Sequence, residues 1–139
     1  MDEKTRETLE FVRDAFPAVA FATVEENGNP RNRYAIIQDV SENGLIFQTT
    51  KDKRFYRNLQ HHPVVSIAGL NDKPEAVMIT GKVRELGEEG LEKLIEAKPD
   101  LADQYKDEEV REHTAVFEIY DGEGQHLDLA EGSQEEIKF

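Results

Sequence analysis

The chain of 139 residues has no cysteine, which excludes disulfides, thiolate metal sites and cysteine nucleophiles together. It has no apolar run near the 18 or so residues of a bilayer-spanning helix, so no membrane span is expected. The charged start, Met1-Asp2-Glu3-Lys4, is unlike a signal peptide. A cytoplasmic protein is the simplest expectation. Serine is scarce: Ser41, Ser66 and Ser133 are the only ones, and none sits in a Gly-x-Ser-x-Gly elbow. The histidines form no HxH or HExxH spacing. His61 and His62 are adjacent at a predicted helix end, where neighbouring side chains diverge by about 100°. No metal site is expected. Without a Gly-x-Gly-x-x-Gly or Walker-type loop, dinucleotide binding by a doubly wound sheet and P-loop chemistry are both unsupported.

Charge is abundant but unevenly placed. The net charge is −13, yet residues 1–84 hold 12 acids and 12 bases, and residues 85–139 hold 18 acids against 5 bases. An acidic surface repels nucleic acid and anionic lipid, so neither is an expected partner. Against this background Lys51, Lys53, Arg54 and Arg57 stand together in the neutral half, opposed there only by Asp52.

The length suits a single domain over 1–139, and no linker or repeat divides it. Residues 3–16 read as an amphipathic helix ended by Pro17. Strands are predicted at Val19–Glu25, from Pro30 to Ile37, and at Leu45–Thr49, with Asn27-Gly28 and Asn43-Gly44 as hairpin turns between them. That predicts a three-strand antiparallel meander. A short helix follows Asp52, burying Phe55 and Leu59, and Pro63 stops it. Further strands are predicted at Val64–Ala68, at Glu75–Glu85 with Gly81 as a bulge or close-approach point, and at Thr114–Tyr120. Asp121-Gly122-Glu123-Gly124 reads as a turn into a last strand, Gln125–Leu129. A helix is predicted after Gly90, and one more turn over Leu101–Tyr105. The tail 130–139 reads as loose, although Ile137 and Phe139 could dock. Six or seven strands with flanking helices make an α+β chain, either a small antiparallel barrel or an open antiparallel sheet with helices on one face.

The remaining candidate chemistry is basic and hydroxyl-bearing: Arg31, Arg33, Thr49, Thr50, Lys51, Lys53, Arg54 and Arg57. A helix N-terminus with hydroxyls and cations suits a phosphate, although charge runs are more often solvated faces. If the strand carrying Arg33 pairs with Leu45–Thr49, the hairpin brings a bidentate guanidinium beside Thr49 and the helix start.

The order of these pieces resembles the pyridoxamine 5′-phosphate oxidase-like family of FMN-binding split barrels. The matching pieces are Phe21-Ala22-Thr23-Val24, Asn27-Gly28-Asn29-Pro30, Arg33 with its apolar run, Gly44-Leu45-Ile46-Phe47 leading to Thr49, Lys53-Arg54, Asn58-Leu59, Pro63–Ile67 and Val77–Val83. The resemblance implies an antiparallel split β-barrel and a homodimer with FMN at the subunit interface. It puts phosphate contacts on Arg33, Thr49, Lys53 and Arg54, the backbone from Tyr34 through Ala35 and Ile36 to Ile37 along the flavin ring, and Gln48 beside them. It implies an FMN-dependent oxidoreductase passing electrons from a reduced donor to a small-molecule acceptor, or a non-catalytic module of the same fold that stores or senses flavin or haem. Tyr34, Tyr56 and His62 are the candidate proton donors. Where the true oxidases carry cations this chain has Gln38 and Phe55, and Ala76 replaces their glutamine, so oxidation of pyridoxamine phosphate is not expected.

Overall fold

The computed structural model describes residues 1–139. Helix α1 (Glu3–Ala15) is capped by Asp2, whose carboxylate accepts from Thr5 N at 2.8 Å. Its stripe of Leu9 and Val12, continued by Phe16, lies on the core. Strands β1 (Val19–Val24) and β2 (Pro30–Ala35) form the first hairpin, with Gly28 at a φ of +87° in its turn. Then come β3 (Asp39–Val40), β4 (Leu45–Thr50), α2 (Arg54–His61), β5 (Val64–Leu70), β6 (Glu75–Leu86) and α3 (Glu88–Ala97). Two 3-10 turns, α4 (Glu108–His113), β7 (Thr114–Asp128) and β8 (Ser133–Lys138) complete the chain. No helix is long and apolar enough to cross a membrane.

All eight strands belong to one antiparallel sheet, ordered β2-β1-β5-β6-β7-β4-β3, with β8 paired to β7. The sheet curls around one core without hydrogen bonds between its end strands, which makes an α+β split barrel. Inward positions alternate along each strand, and their aromatic rings meet at the centre. Phe47 stacks on both Phe55 and Phe117, at centroid distances of 5.6 and 5.5 Å, and meets Phe21 at 4.8 Å. Burying each such ring contributes roughly 1.5–3 kcal/mol. A second, smaller cluster of Ile46, Leu91, Leu94, Tyr105 and Val116 holds α3 against the outer face of β4 and β7.

Three expectations need correction. First, there is no meander: β2 pairs with β1, β4 pairs with β3 and β7, and no ladder joins β2 to β4. The chain leaves the β2 ladder at Ala35 and starts a fresh short strand at Asp39. Second, Asp121–Gly124 does not reverse the chain. It lies inside the 15-residue β7, where the register against β6 shifts between Thr80 and Lys82. Asp121 takes a φ of +48° there, so the strand bends at a bulge without turning back. Third, residues 133–138 are not a loose tail: they pair with Glu123–Asp128 as β8, bury Ile137 and pack Phe139 on the core. The eighth strand follows from that pairing. Smaller differences are that α3 begins at Glu88, before Gly90, and that the short α4, capped by Asp107, had no counterpart among the predicted elements.

Candidate functional site

The basic segment takes its shape from α2. Phe55, Asn58 and Leu59, spaced three and four apart, are the buried face of this helix, and Pro63 follows its end. No side chain caps its first turn, so the N–H groups there face outward with the positive end of the helix dipole. Asp52 stands just before it. A hydrogen bond from the Thr50 hydroxyl, then one from its own backbone, holds the Asp52 carboxyl below the ordinary range.

Arg33 reaches this helix by a route other than the predicted hairpin. It sits opposite Phe21 on the β1–β2 ladder, and its guanidinium carbon lies 4.5 Å from the centroid of Phe55, the second residue of α2. One nitrogen makes all of its hydrogen bonds: Nη1 donates to Thr23 Oγ1 at 2.6 Å, Phe21 O at 3.1 Å and Arg31 O at 3.2 Å. Nε and Nη2 donate to no protein group, so one edge of the fork is open. Burial, then the nearby Arg31 charge, draws the guanidinium pKa down from its ordinary value, while Glu25 opposes them.

The other predicted residues divide into groups. Thr49 is buried on the inward face of β4, two residues beyond Phe47, and its hydroxyl makes no hydrogen bond within the chain. Lys53 and Arg54 are exposed at the start of α2, and Arg54 Nε lies 3.6 Å from Glu25. Arg33, Lys51, Lys53 and Arg57 form no ion pair with a carboxylate. Such a concentration of unpaired cations is notable in a chain of net charge −13. Gln48 faces the other side of the sheet from Thr49 and accepts a hydrogen bond from Tyr105, so the structure does not bring it to Arg33. Tyr34 and Ile36 point outward, 79% and 49% exposed, and Ala35 between them packs on the core. Of the candidate proton donors, Tyr56 donates to Glu85 at 2.9 Å and His62 is exposed at the end of α2.

Sequence reasoning missed Thr23 and Asn58 as members of this cluster. Both are buried, and Asn58 Nδ2 donates to Thr23 Oγ1 at 3.0 Å. The available signal was the polar residue at the third position after Phe55, on the apolar face of α2.

Tyr34 also belongs to an exposed apolar sheet face. It lies opposite Ala20, which lies opposite Ala68, which lies opposite Met78. Leu70 flanks this row, 67% exposed, and Met78 is 40% exposed.

An antiparallel split barrel with an uncapped, cation-rich helix start beside an anchored arginine defines a recognisable class. The chain belongs to the pyridoxamine 5′-phosphate oxidase family, whose sequence profile, described as "Pyridoxamine 5′-phosphate oxidase", matches residues 1–122. A pyridoxine/pyridoxamine 5′-phosphate oxidase of Citrobacter koseri is 30% identical over 83 residues, which is 59% of this chain and 38% of that protein. The matched stretch is thus well under half of the relative's length. Among solved structures, a NimC/NimA family protein of Clostridium acetobutylicum superposes with a TM-score of 0.82 at 26% identity, over 97% of this chain and 92% of that one. A pyridoxamine 5′-phosphate oxidase-related, FMN-binding protein of Nostoc punctiforme has a TM-score of 0.61 at 13% identity, covering 98% and 91%. A haem-binding protein of Mycobacterium smegmatis has 0.73 at 14%, covering 99% and 59%. At such identities the last two likenesses concern the fold, which houses a flavin in one protein and a haem in the other.

Proposed function

We propose that this protein binds FMN and serves as a flavin-dependent oxidoreductase between a reduced donor and a small-molecule acceptor. The observation that carries the reading is Arg33, fixed through Nη1 alone with Nε and Nη2 open, lying over Phe55 in the first turn of α2, whose uncapped start carries unpaired Lys53. An open guanidinium edge, ammonium groups and helix N–H donors are the chemistry that holds a phosphate monoester. In this reading Arg33, Thr49, Lys53 and Arg54 grip the phosphate, and the backbone from Tyr34 through Ala35 to Ile36 lies along the ring. Gln48 acts from the opposite face, by holding Tyr105 under β4. Bound flavin would supply the redox chemistry, and the protein would fix it and shield one face.

The exposed face of Tyr34, Leu70 and Met78 supports the second element of the reading, a homodimer. A second copy seated there would cover the apolar row and enclose a flavin lying against β2. We place this dimer in the cytoplasm, in keeping with a chain that lacks cysteine.

A non-catalytic module that stores or senses flavin or haem is the second reading. Phe55 and Ala76, standing where the true oxidases carry a cation and a glutamine, favour it. Addition of NADH or NADPH to the FMN-loaded protein separates the two. Bleaching of the flavin followed by recovery with an acceptor supports the oxidoreductase, and an unchanged flavin spectrum supports the module.

A further inference from the structure

We infer that Thr23, Asn58 and Phe55 are positioning residues that hold the Arg33 fork ready for an anionic ligand group, an inference that rests on the phosphate reading of this site. Phe55 thus acts as an aromatic platform for the Arg33 cation.

Three elements converge on one guanidinium. Thr23 comes from β1, Arg33 from β2, and Phe55 with Asn58 from one face of α2. Thr23 Oγ1 is the node: it accepts from Arg33 Nη1 at 2.6 Å and from Asn58 Nδ2 at 3.0 Å. Thr23 and Asn58 are 2% and 5% exposed, so water is not a ready substitute for either partner. Buried donors and acceptors that lose a partner are costly, so this arrangement resists distortion. The Phe55 ring lies under the guanidinium at 4.5 Å and is itself wedged against Phe21 and Phe47, each at 5.6 Å. The ring therefore cannot move without disturbing the barrel core.

The arrangement has a functional consequence. An arginine side chain has many rotamers, and a ligand must otherwise immobilise it on binding. Here the immobilisation is built into the unliganded fold, and Nε and Nη2 are left without a protein acceptor. The same node ties β1 to α2, so the helix N-terminus and the guanidinium keep a fixed spacing. Such preorganisation favours a small, doubly charged headgroup over a neutral one.

The test uses Thr23→Val, Thr23→Ser and Phe55→Leu in the full chain. Titration with FMN and with riboflavin, which lacks the phosphate, is combined with NMR of the Arg33 Nε–H in the absence of ligand, assigned by its loss in Arg33→Lys. Wild type should give a dispersed Nε–H resonance whose 15N relaxation shows a high order parameter, because Nη1 and the Phe55 ring hold the guanidinium still, and Thr23→Ser should match it. Thr23→Val and Phe55→Leu should both show a mobile guanidinium, with the FMN Kd raised roughly tenfold or more, as the loss of guanidinium preorganisation implies, and riboflavin binding unchanged. Phe55→Leu keeps an apolar side chain of similar size, so it carries the test if Thr23→Val fails to fold. A mobile Nε–H in the variants of a protein that binds no FMN would support the positioning role and overturn the phosphate reading alone. An Nε–H unchanged in both variants, or FMN and riboflavin weakened equally, would overturn the inference.

Discussion

Glu118 is the only charged residue among the buried side chains, at 5% exposure. Arg84 Nε and Nη2 both donate to its Oε1, at 2.8 and 2.6 Å, and the guanidinium covers the Tyr120 ring at 4.1 Å. Removing one partner of a fully buried pair costs about 3–5 kcal/mol. Arg84 is itself 44% exposed, and solvent screening brings the expected cost of Arg84→Met to about 2–3 kcal/mol. Urea denaturation measures this directly, and a loss below about 0.5 kcal/mol would mean that water already satisfies the carboxylate. Adding Glu118→Leu should restore at least half of the loss, because the stranded charge leaves with it.

Helices and strands show how far the sequence could be read. The α1 stripe, the β1–β2 turn at Asn27-Gly28 and the buried face of α2 were legible because a period of hydrophobicity and a turn residue agreed. At residues 121–124 the same turn vocabulary misled. Glycine also marks places where another chain segment comes close, and that is its use here. A Cβ on Gly122 would strike the Phe139 ring, and one on Gly124 would strike the Met78 carbonyl. Neither glycine has a positive φ. The distant partner, β8, carries mostly polar residues, so no apolar pattern announced it. Its anchor is Ile137, buried at 4% exposure, and Ile137→Ala should cost about 2–4 kcal/mol in thermal or urea unfolding. A near-neutral result would show that β8 is dispensable. Likewise, Arg33 stood out in the sequence as a strand cation near the basic segment, but the route by which it reaches α2 did not. Pairing partners are set by long-range packing, so the sequence could not show that Arg33 reaches α2 across β1.

For the whole molecule, the split barrel leaves two unsatisfied surfaces close together. One is the cationic start of α2 with the open edge of Arg33, and the other is the apolar face of Tyr34, Leu70 and Met78. Both involve β2, with Arg33 and Tyr34 adjacent and on opposite faces. The dimer proposed above would cover the second surface and so account for its exposed apolar side chains. Leu70→Asp with Met78→Asp should convert a dimer to a folded monomer in analytical ultracentrifugation. A wild-type protein that sediments as a monomer at high micromolar concentration would remove the dimer from the account.

The central claim is the phosphate grip. Its most direct test is the visible absorption spectrum of purified protein equilibrated with FMN and then freed of unbound ligand. The protein should retain a flavin spectrum with FMN equimolar to the chain. The double substitution Arg33→Met and Lys53→Met should lose that spectrum, with circular dichroism unchanged. A folded wild-type protein that retains no flavin, one that takes up haem in its place, or a double variant that retains FMN as well as wild type would contradict it.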